Sequence, residues 1–194
     1  MMSWDTSNDF VIHTPRLTLK SLDEEDSGSV LEFYNRNKVF LSRWEPLRHD
    51  GFYTDAFQKL SLKLDRESQI KGDMFRFWIF LSGESEIIGT VSLSHIVRGV
   101  FKSCFLGYKI SEENEGKGYM TEAIKAVVEF AFGTLKLHRI EANIMPTNER
   151  SIQLIRRLSF EYEGISKRYL MINGKWEDHI RFALLNDDIY NRRR

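Results

Sequence analysis

Two glycines stand one residue apart in Glu115-Gly116-Lys117-Gly118-Tyr119-Met120-Thr121, between a strand-like run and the most regular helical pattern of the chain. A turn without side chains can aim its backbone amides one way. Together with the positive end of the following helix they form an anion site suited to a phosphate or pyrophosphate. The same pair equally suits a tight turn that needs positive φ. Two phosphate loops are excluded. A Walker A loop needs Ser or Thr after Gly-Lys, but Lys117 is followed by Gly118. A dinucleotide fingerprint needs a third glycine three residues after the second, where Thr121 stands. Other reactive side chains are sparse. Cys104, the only cysteine, lies in a strand-like run and reads as a small core hydrophobe, with no base beside it to make a thiolate. The five His residues, at positions 13, 49, 95, 138 and 179, make no His-x-His or His-x-x-x-His pair, so no metal site is expected.

The elements that must position the turn follow from periodicity. Arg16–Lys20 alternates as a short strand. Ser21 and Glu24 fit a capping box for a helix reaching about Asn37, with Val30, Leu31 and Tyr34 on one face. A second helix spans Tyr53–Gln69, with Tyr53, Ala56, Phe57, Leu60 and Leu64 as its apolar face. Strands follow over Phe75–Leu81, Glu86–His95 and Phe101–Ile110. Met120, Ala123, Ile124, Val127, Val128, Ala131, Phe132 and Leu135 then mark an amphipathic helix. His138–Met145 reads as a strand, Ser151–Leu158 as a short helix, and Tyr162–Ile172 with Asp178–Leu185 as a hairpin around Asn173-Gly174. The order β-α-α-β-β-β-α-β-α-β-β predicts an α+β fold rather than a doubly wound one.

Composition narrows the class of function. The 28 basic and 28 acidic residues of the 194-residue chain cancel, which argues against a nucleic-acid coat or a polybasic membrane binder. Apolar residues at 42% and charged residues at 29% are a globular balance. A single cysteine allows no internal disulfide and favours an intracellular setting. The N-terminus lacks the basic and apolar regions of a signal peptide. The longest apolar run is Phe77–Leu81, far short of the roughly 20 residues of a membrane span. A cytoplasmic monomer or homodimer is expected, with no membrane or sequence-specific nucleic-acid partner. Residues 1–13 read as a loose leader, 14–185 as one domain, and 186–194 as a polar tail ending in Arg192–Arg194.

Many short stretches then run colinear with one known family. They are Trp44-Glu45-Pro46, Ile87-Ile88-Gly89, Val97-Arg98-Gly99, Leu106-Gly107-Tyr108, Gly116-Lys117-Gly118, His138-Arg139-Ile140, Ala142-Asn143, Met145-Pro146, Asn148 with Ser151, Glu163-Gly164, and Asn173-Gly174-Lys175-Trp176 with Asp178-His179. From about Thr14 to Leu185 the chain resembles the GNAT N-acetyltransferases, above all the RimJ/RimL-type ribosomal-protein-alanine branch. The resemblance implies a central mixed, mostly antiparallel sheet, splayed at the cofactor site and flanked by helices. It implies acetyl-coenzyme A as co-substrate, without a metal. The implied reaction moves the acetyl group to the N-terminal amine of a protein, a ribosomal protein starting with Ala or Ser, by direct attack in a ternary complex. A transient contact with the ribosome would go with that acceptor. A small amine (a polyamine, amino sugar or antibiotic) is the alternative.

By the same resemblance the cofactor would lie against Tyr108, Lys109, Ile110, Glu115, Gly116, Lys117, Gly118, Tyr119, Met120, Thr121, Asn148 and Ser151. A backbone N–H near Lys109 or Ile110 would hold the thioester oxygen. Asn148 would bond the pantetheine arm, and Ser151 would protonate the leaving thiolate; both also fit plain capping of a helix start. Trp44, Glu45 and Asp178 would meet the acceptor, with Glu45 deprotonating or orienting its amine. Asp178 and His179 also fit a satisfied structural pair. The chain departs from the family in four places. Glu115 and Met120 replace residues of the usual glycine-turn pattern, and Glu115 cannot donate to a phosphate, which leaves Lys117 as a side-chain donor. Ile155 stands where many relatives carry a general-acid Tyr, and Ser159 where they carry Gly.

Overall fold

The computed structural model describes residues 2–4 and 10–186. Nine strands form one sheet in the order β1-β2-β3-β4-β5-β6-β7-β9-β8. They are β1 (Met2–Trp4), β2 (Phe10–His13), β3 (Leu17–Lys20), β4 (Phe75–Leu81), β5 (Ile87–Val97), β6 (Ser103–Ile110), β7 (Arg139–Ile144), β8 (Glu161–Ile172) and β9 (Lys175–Leu185). The helices are α1 (Ser27–Arg36), α2 (Lys38–Leu41), α3 (Asp55–Lys71), α4 (Tyr119–Glu129) and α5 (Glu149–Arg157). The α+β arrangement with a mostly antiparallel sheet is as expected from the sequence.

Both faces of the sheet are covered, and β4 shows why its apolar run is unbroken. Phe75, Phe77 and Ile79 join the core beneath α4 and α5, whereas Trp78 and Phe80 join a second core beneath α1 and α3. Phe10, Phe75 and Phe77 all meet Phe130 edge-on, at centroid distances of 5.1–5.8 Å. The regular pattern of α4 stops at Glu129, and Phe130–Thr134 continue as a π turn.

One pairing opens the site. Strand β6 is antiparallel to β5 over most of its length, but pairs with β7 in parallel only from Ser103 to Phe105. Beyond Phe105 the two strands part. The Ser111 N–H bonds Ile88 O at 2.8 Å, so strand alternation turns the N–H groups of Tyr108 and Ile110 into the gap. Gly89 lets β5 close on β6 here, because a Cβ on it would stand 2.5 Å from Lys109 O.

Several local expectations change. Residues 10–13, read as leader, form β2 against β3, with Ile12 buried. Three apolar residues beside polar neighbours are too short a run to show a period. The capping box belongs to Asp23 and Asp26 around a short 3₁₀ turn, and Ser21 instead accepts the Phe10 N–H at 3.1 Å. Thr54 caps α3, whose buried face holds Gln58, Leu62 and Gln69, while Leu60 and Leu64 stay half exposed. Polar anchors decide that rotation. Gln58 Nε2 donates to Phe52 O at 2.6 Å, and Asp65 accepts from Arg76 on β4 at 2.6 Å. Asn186, placed in the tail, is buried and bonds Leu137 O and His138 O. The rest of that tail, with Arg192–Arg194, lies outside the described residues.

Candidate active site

The glycine turn has the backbone its residues suggested. Gly116 has φ +74° and Gly118 φ +81°, both in the left-handed region. Gly118 is the N-cap of α4, so the first N–H groups of that helix have no partner within it and point outward with the positive end of its dipole. The turn is clamped from outside. Arg16 donates through Nε to Glu122 at 2.7 Å and through Nη1 to Lys117 O at 3.1 Å. Glu122 also accepts from Thr14 Oγ1 at 2.6 Å and from the Arg16 N–H at 2.9 Å. Burial pushes the Glu122 carboxyl up, but these bonds hold it below the usual carboxylate range. Glu115 pairs with Arg150 on α5, which ties the turn to the helix across the gap.

A cleft of about 970 Å³ follows this turn and continues through the split between β6 and β7. Tyr108, Lys109, Ile110, Glu115, Gly116, Gly118, Tyr119, Met120, Thr121, Asn148, Ser151, Trp44 and Glu45 all line it. Two expected residues do not. Lys117 turns to Asn114, donating to its Oδ1 at 3.1 Å. Asp178 holds the β8–β9 hairpin, accepting from Lys167 Nζ at 2.7 Å and from the Arg168 N–H at 2.8 Å. These bonds pin an irregularity in β8 where Arg168 takes φ +49°. His179 is buried beside Asp178, with Nδ1 3.0 Å from Glu177 O and its ring against Tyr169.

At the α5 side of the cleft, Asn148 Oδ1 accepts the Ser151 N–H at 3.1 Å, so Asn148 is the helix cap. Ser151 Oγ is hydrogen-bonded to Tyr108 Oη. Burial raises the pKa of the Tyr108 phenol, although the bond to Ser151 works the other way, so the phenol keeps its proton. Ile155, at the position where the resemblance would have a general-acid Tyr, is fully buried in the core. A hydroxyl pair from β6 and α5 therefore stands in the gap instead. Sequence reading placed Tyr108 only as a cofactor contact; its distance in sequence from Ser151 hid the pair.

The far end of the cleft is built by Glu45 and its partners. Lys109 Nζ pairs with Glu45 Oε1, lies 3.5 Å from Tyr34 Oη, and sits over the Tyr34 ring. Arg48 bonds Glu45 Oε2 at 3.2 Å. Burial raises the Glu45 pKa, but Lys109 and Arg48 outweigh it and leave the carboxyl below its ordinary value. That environment suits orientation of an amine better than its deprotonation. The β8–β9 turn closes this end, with the Asn173 N–H bonding Glu45 O at 2.9 Å. Cys104 plays no part: burial pushes its thiol up to about 12. Among the described residues no group of three or more His, Cys, Asp or Glu side chains could hold a metal ion.

The residues present fit an extended, phosphate-bearing ligand. The outward amides of α4 and the left-handed glycine turn form a cradle, and the split strand edge offers further N–H donors. Comparison with known proteins agrees. Residues 16–161 match the family described as acetyltransferase (GNAT) domain. The chain is 39% identical to the [ribosomal protein uS5]-alanine N-acetyltransferase of Escherichia coli K12 over 90% of each protein. It superposes on the ribosomal-protein-S5-alanine acetyltransferase of Vibrio fischeri with a TM-score of 0.87, at 35% identity, covering 92% of this chain and 97% of that one. A Mycobacterium smegmatis RimJ solved with CoA-disulfide superposes at 0.84 and 26% identity, covering 89% and 83%. The chain belongs to the GNAT acetyltransferase family and is an acetyl-coenzyme A-dependent N-acetyltransferase.

Proposed function

We propose that this enzyme acetylates the N-terminal amine of a protein beginning with a small residue, Ala or Ser, and that a ribosomal protein is its acceptor. One observation carries the reading: the 39% identity to a uS5-alanine N-acetyltransferase extends over 90% of both chains. The acceptor end of the cleft, lined by Trp44 and Glu45 and bounded by the β8–β9 turn, is consistent with a narrow N-terminus entering it. No helix among the described residues is long and apolar enough to cross a membrane, and the proposed acceptor places the enzyme in the cytoplasm, in transient contact with ribosomes or their free proteins.

Acetyl-coenzyme A supplies an activated thioester, and the chain supplies position, polarity and protons. The amides at the start of α4 hold phosphate oxygens. The Ile110 N–H, directed into the gap, stabilises negative charge on the carbonyl oxygen during attack. Glu45 orients the incoming amine by exchanging its bond to Lys109 for one to the acceptor. Ser151 would give its proton to the departing sulfur, and the proton shed by the acceptor amine would return through the Tyr108–Ser151 hydroxyl pair, so both hydroxyls end the cycle protonated. The test is release of free thiol against peptides with different first residues and a panel of small amines. Turnover with Ala- and Ser-starting peptides supports the reading; turnover confined to a polyamine or amino sugar overturns it.

A further inference from the structure

The charges around the acceptor end are unbalanced. Arg48, Arg76 and Lys109 line it, against the single lining carboxylate of Glu45. Both oxygens of Glu45 are already engaged, Oε1 by Lys109 and Oε2 by Arg48. Arg76 reaches into the cleft from β4, and only its Nη1 is needed for the bond to Asp65, one of five N–H donors on a guanidinium. Asp65 is the counter-charge of that bond, which still leaves Arg48, Arg76 and Lys109 against two carboxylates, Glu45 and Asp65. The other charged lining groups are Arg157, Glu112 and the Arg150–Glu115 pair, so the cleft lining as a whole also carries more cations than carboxylates. An α-amine entering as ammonium thus meets a net cationic chamber, and the next few side chains of the acceptor decide whether that is tolerated.

We propose that the acceptor end of the cleft selects N-termini with an acidic side chain within the first few residues behind the acetylated one, and turns away lysine-rich N-termini and polyamines. The proposal rests on the reading of the enzyme as a protein N-terminal acetyltransferase and narrows its substrate class. A carboxylate in that stretch meets Arg48 and Arg76, whose forked guanidinium groups suit it. It also releases Glu45 from Arg48 to face the amine. A lysine or a second ammonium meets like charge, and specificity comes from that repulsion as well as from the attraction.

The experiment uses three peptides starting with Ala that differ only at residues two to four, carrying Glu, Gln or Lys, with spermidine as a fourth acceptor. kcat/KM is expected to fall in the order Glu, Gln, Lys, with about tenfold or more between the ends at low salt. The spread should narrow at about 0.5 M salt. Arg76→Gln and Arg48→Gln should each narrow the Glu-to-Lys ratio, whereas damage to the fold would lower all three peptides together. Equal turnover of the peptides, or preference for Lys, overturns the charge selection and leaves the proposed function standing. Turnover of spermidine but of no peptide overturns both.

Discussion

Replacing Gly118 by valine should separate cofactor binding from folding. Gly118 has φ +81°, and the left-handed region costs an ordinary L-residue about 1–2 kcal/mol. The nearest atom to an added Cβ is Arg16 Nη2 at 3.4 Å, the free end of a long side chain, so space is not the obstacle to folding. A loss of about 2 kcal/mol would lower Tm by roughly 4–8 °C in a chain of this size. Coenzyme A should lose far more. A valine strained at φ +81° would shift the turn that aims the amides beginning α4, and two charge-assisted hydrogen bonds at about 1.5–3 kcal/mol each amount to at least about 100-fold in Kd. Gly83→Val is the control for strain, because Gly83 has φ +83°, nothing within 4 Å of its Cβ position, and a place in the β4–β5 turn away from the cleft. Calorimetric titration with coenzyme A and thermal melts on both variants read the two effects. If Gly118→Val binds coenzyme A within about threefold of the parent, the turn is not the phosphate cradle, and the reasoning from its backbone fails.

Three further outcomes are expected. Ser151→Ala and Tyr108→Phe should each cut kcat by about 10²-fold or more with little change in coenzyme A affinity, and the double variant should be no worse than the poorer single one; additive losses would mean the two hydroxyls do not act as one relay. Glu45 is held below its ordinary pKa, so its contribution to stability is complete above the unfolded value of about 4.3 and disappears as pH falls through the lower folded value. Lys109→Met should therefore cost about 1–3 kcal/mol in urea unfolding at pH 7, and the cost should shrink progressively as pH is lowered below about 4 through the folded value of Glu45; a cost that stays constant with pH would show that the ion pair adds nothing to stability. Ser159 sits at φ +64° just past α5, where its N–H bonds Arg156 O and that of Phe160 bonds Ile155 O, so Ser159→Gly should raise stability by about 1 kcal/mol, or 2–4 °C in Tm; an unchanged or lower Tm would show that this turn carries no strain.

The parts readable from sequence were those where one local force decides. The run Phe75–Leu81 and the spacing from Met120 onward gave β4 and α4 because burial dominates there. Asn173-Gly174 marked its hairpin turn through a backbone requirement, and both residues do take positive φ. Polar anchors from distant residues were beyond local reading. Gln58 and Asp65 turn α3 away from its Leu60–Leu64 stripe, and Arg16 and Glu122 clamp the glycine turn across more than a hundred residues. The site divides the same way. The cradle at Gly116 and Gly118 was visible as a motif, whereas the Tyr108–Ser151 and Glu45–Lys109 pairs exist only because the fold brings three separated segments to one cleft. Asp178 carried a family expectation for the acceptor but spends both oxygens on a strand irregularity, which no spacing rule would show.

The most direct measurement maps where the acetyl group goes. Unacetylated ribosomal proteins would be incubated with the enzyme and isotope-labelled acetyl-coenzyme A, and the products located by tandem mass spectrometry. Label is expected on the α-amine of a protein that begins with Ala or Ser, and is expected to be lost in Ser151→Ala. Label found only on lysine side chains, or on added small amines with every N-terminus unmodified, would contradict N-terminal acetylation as the enzyme's reaction.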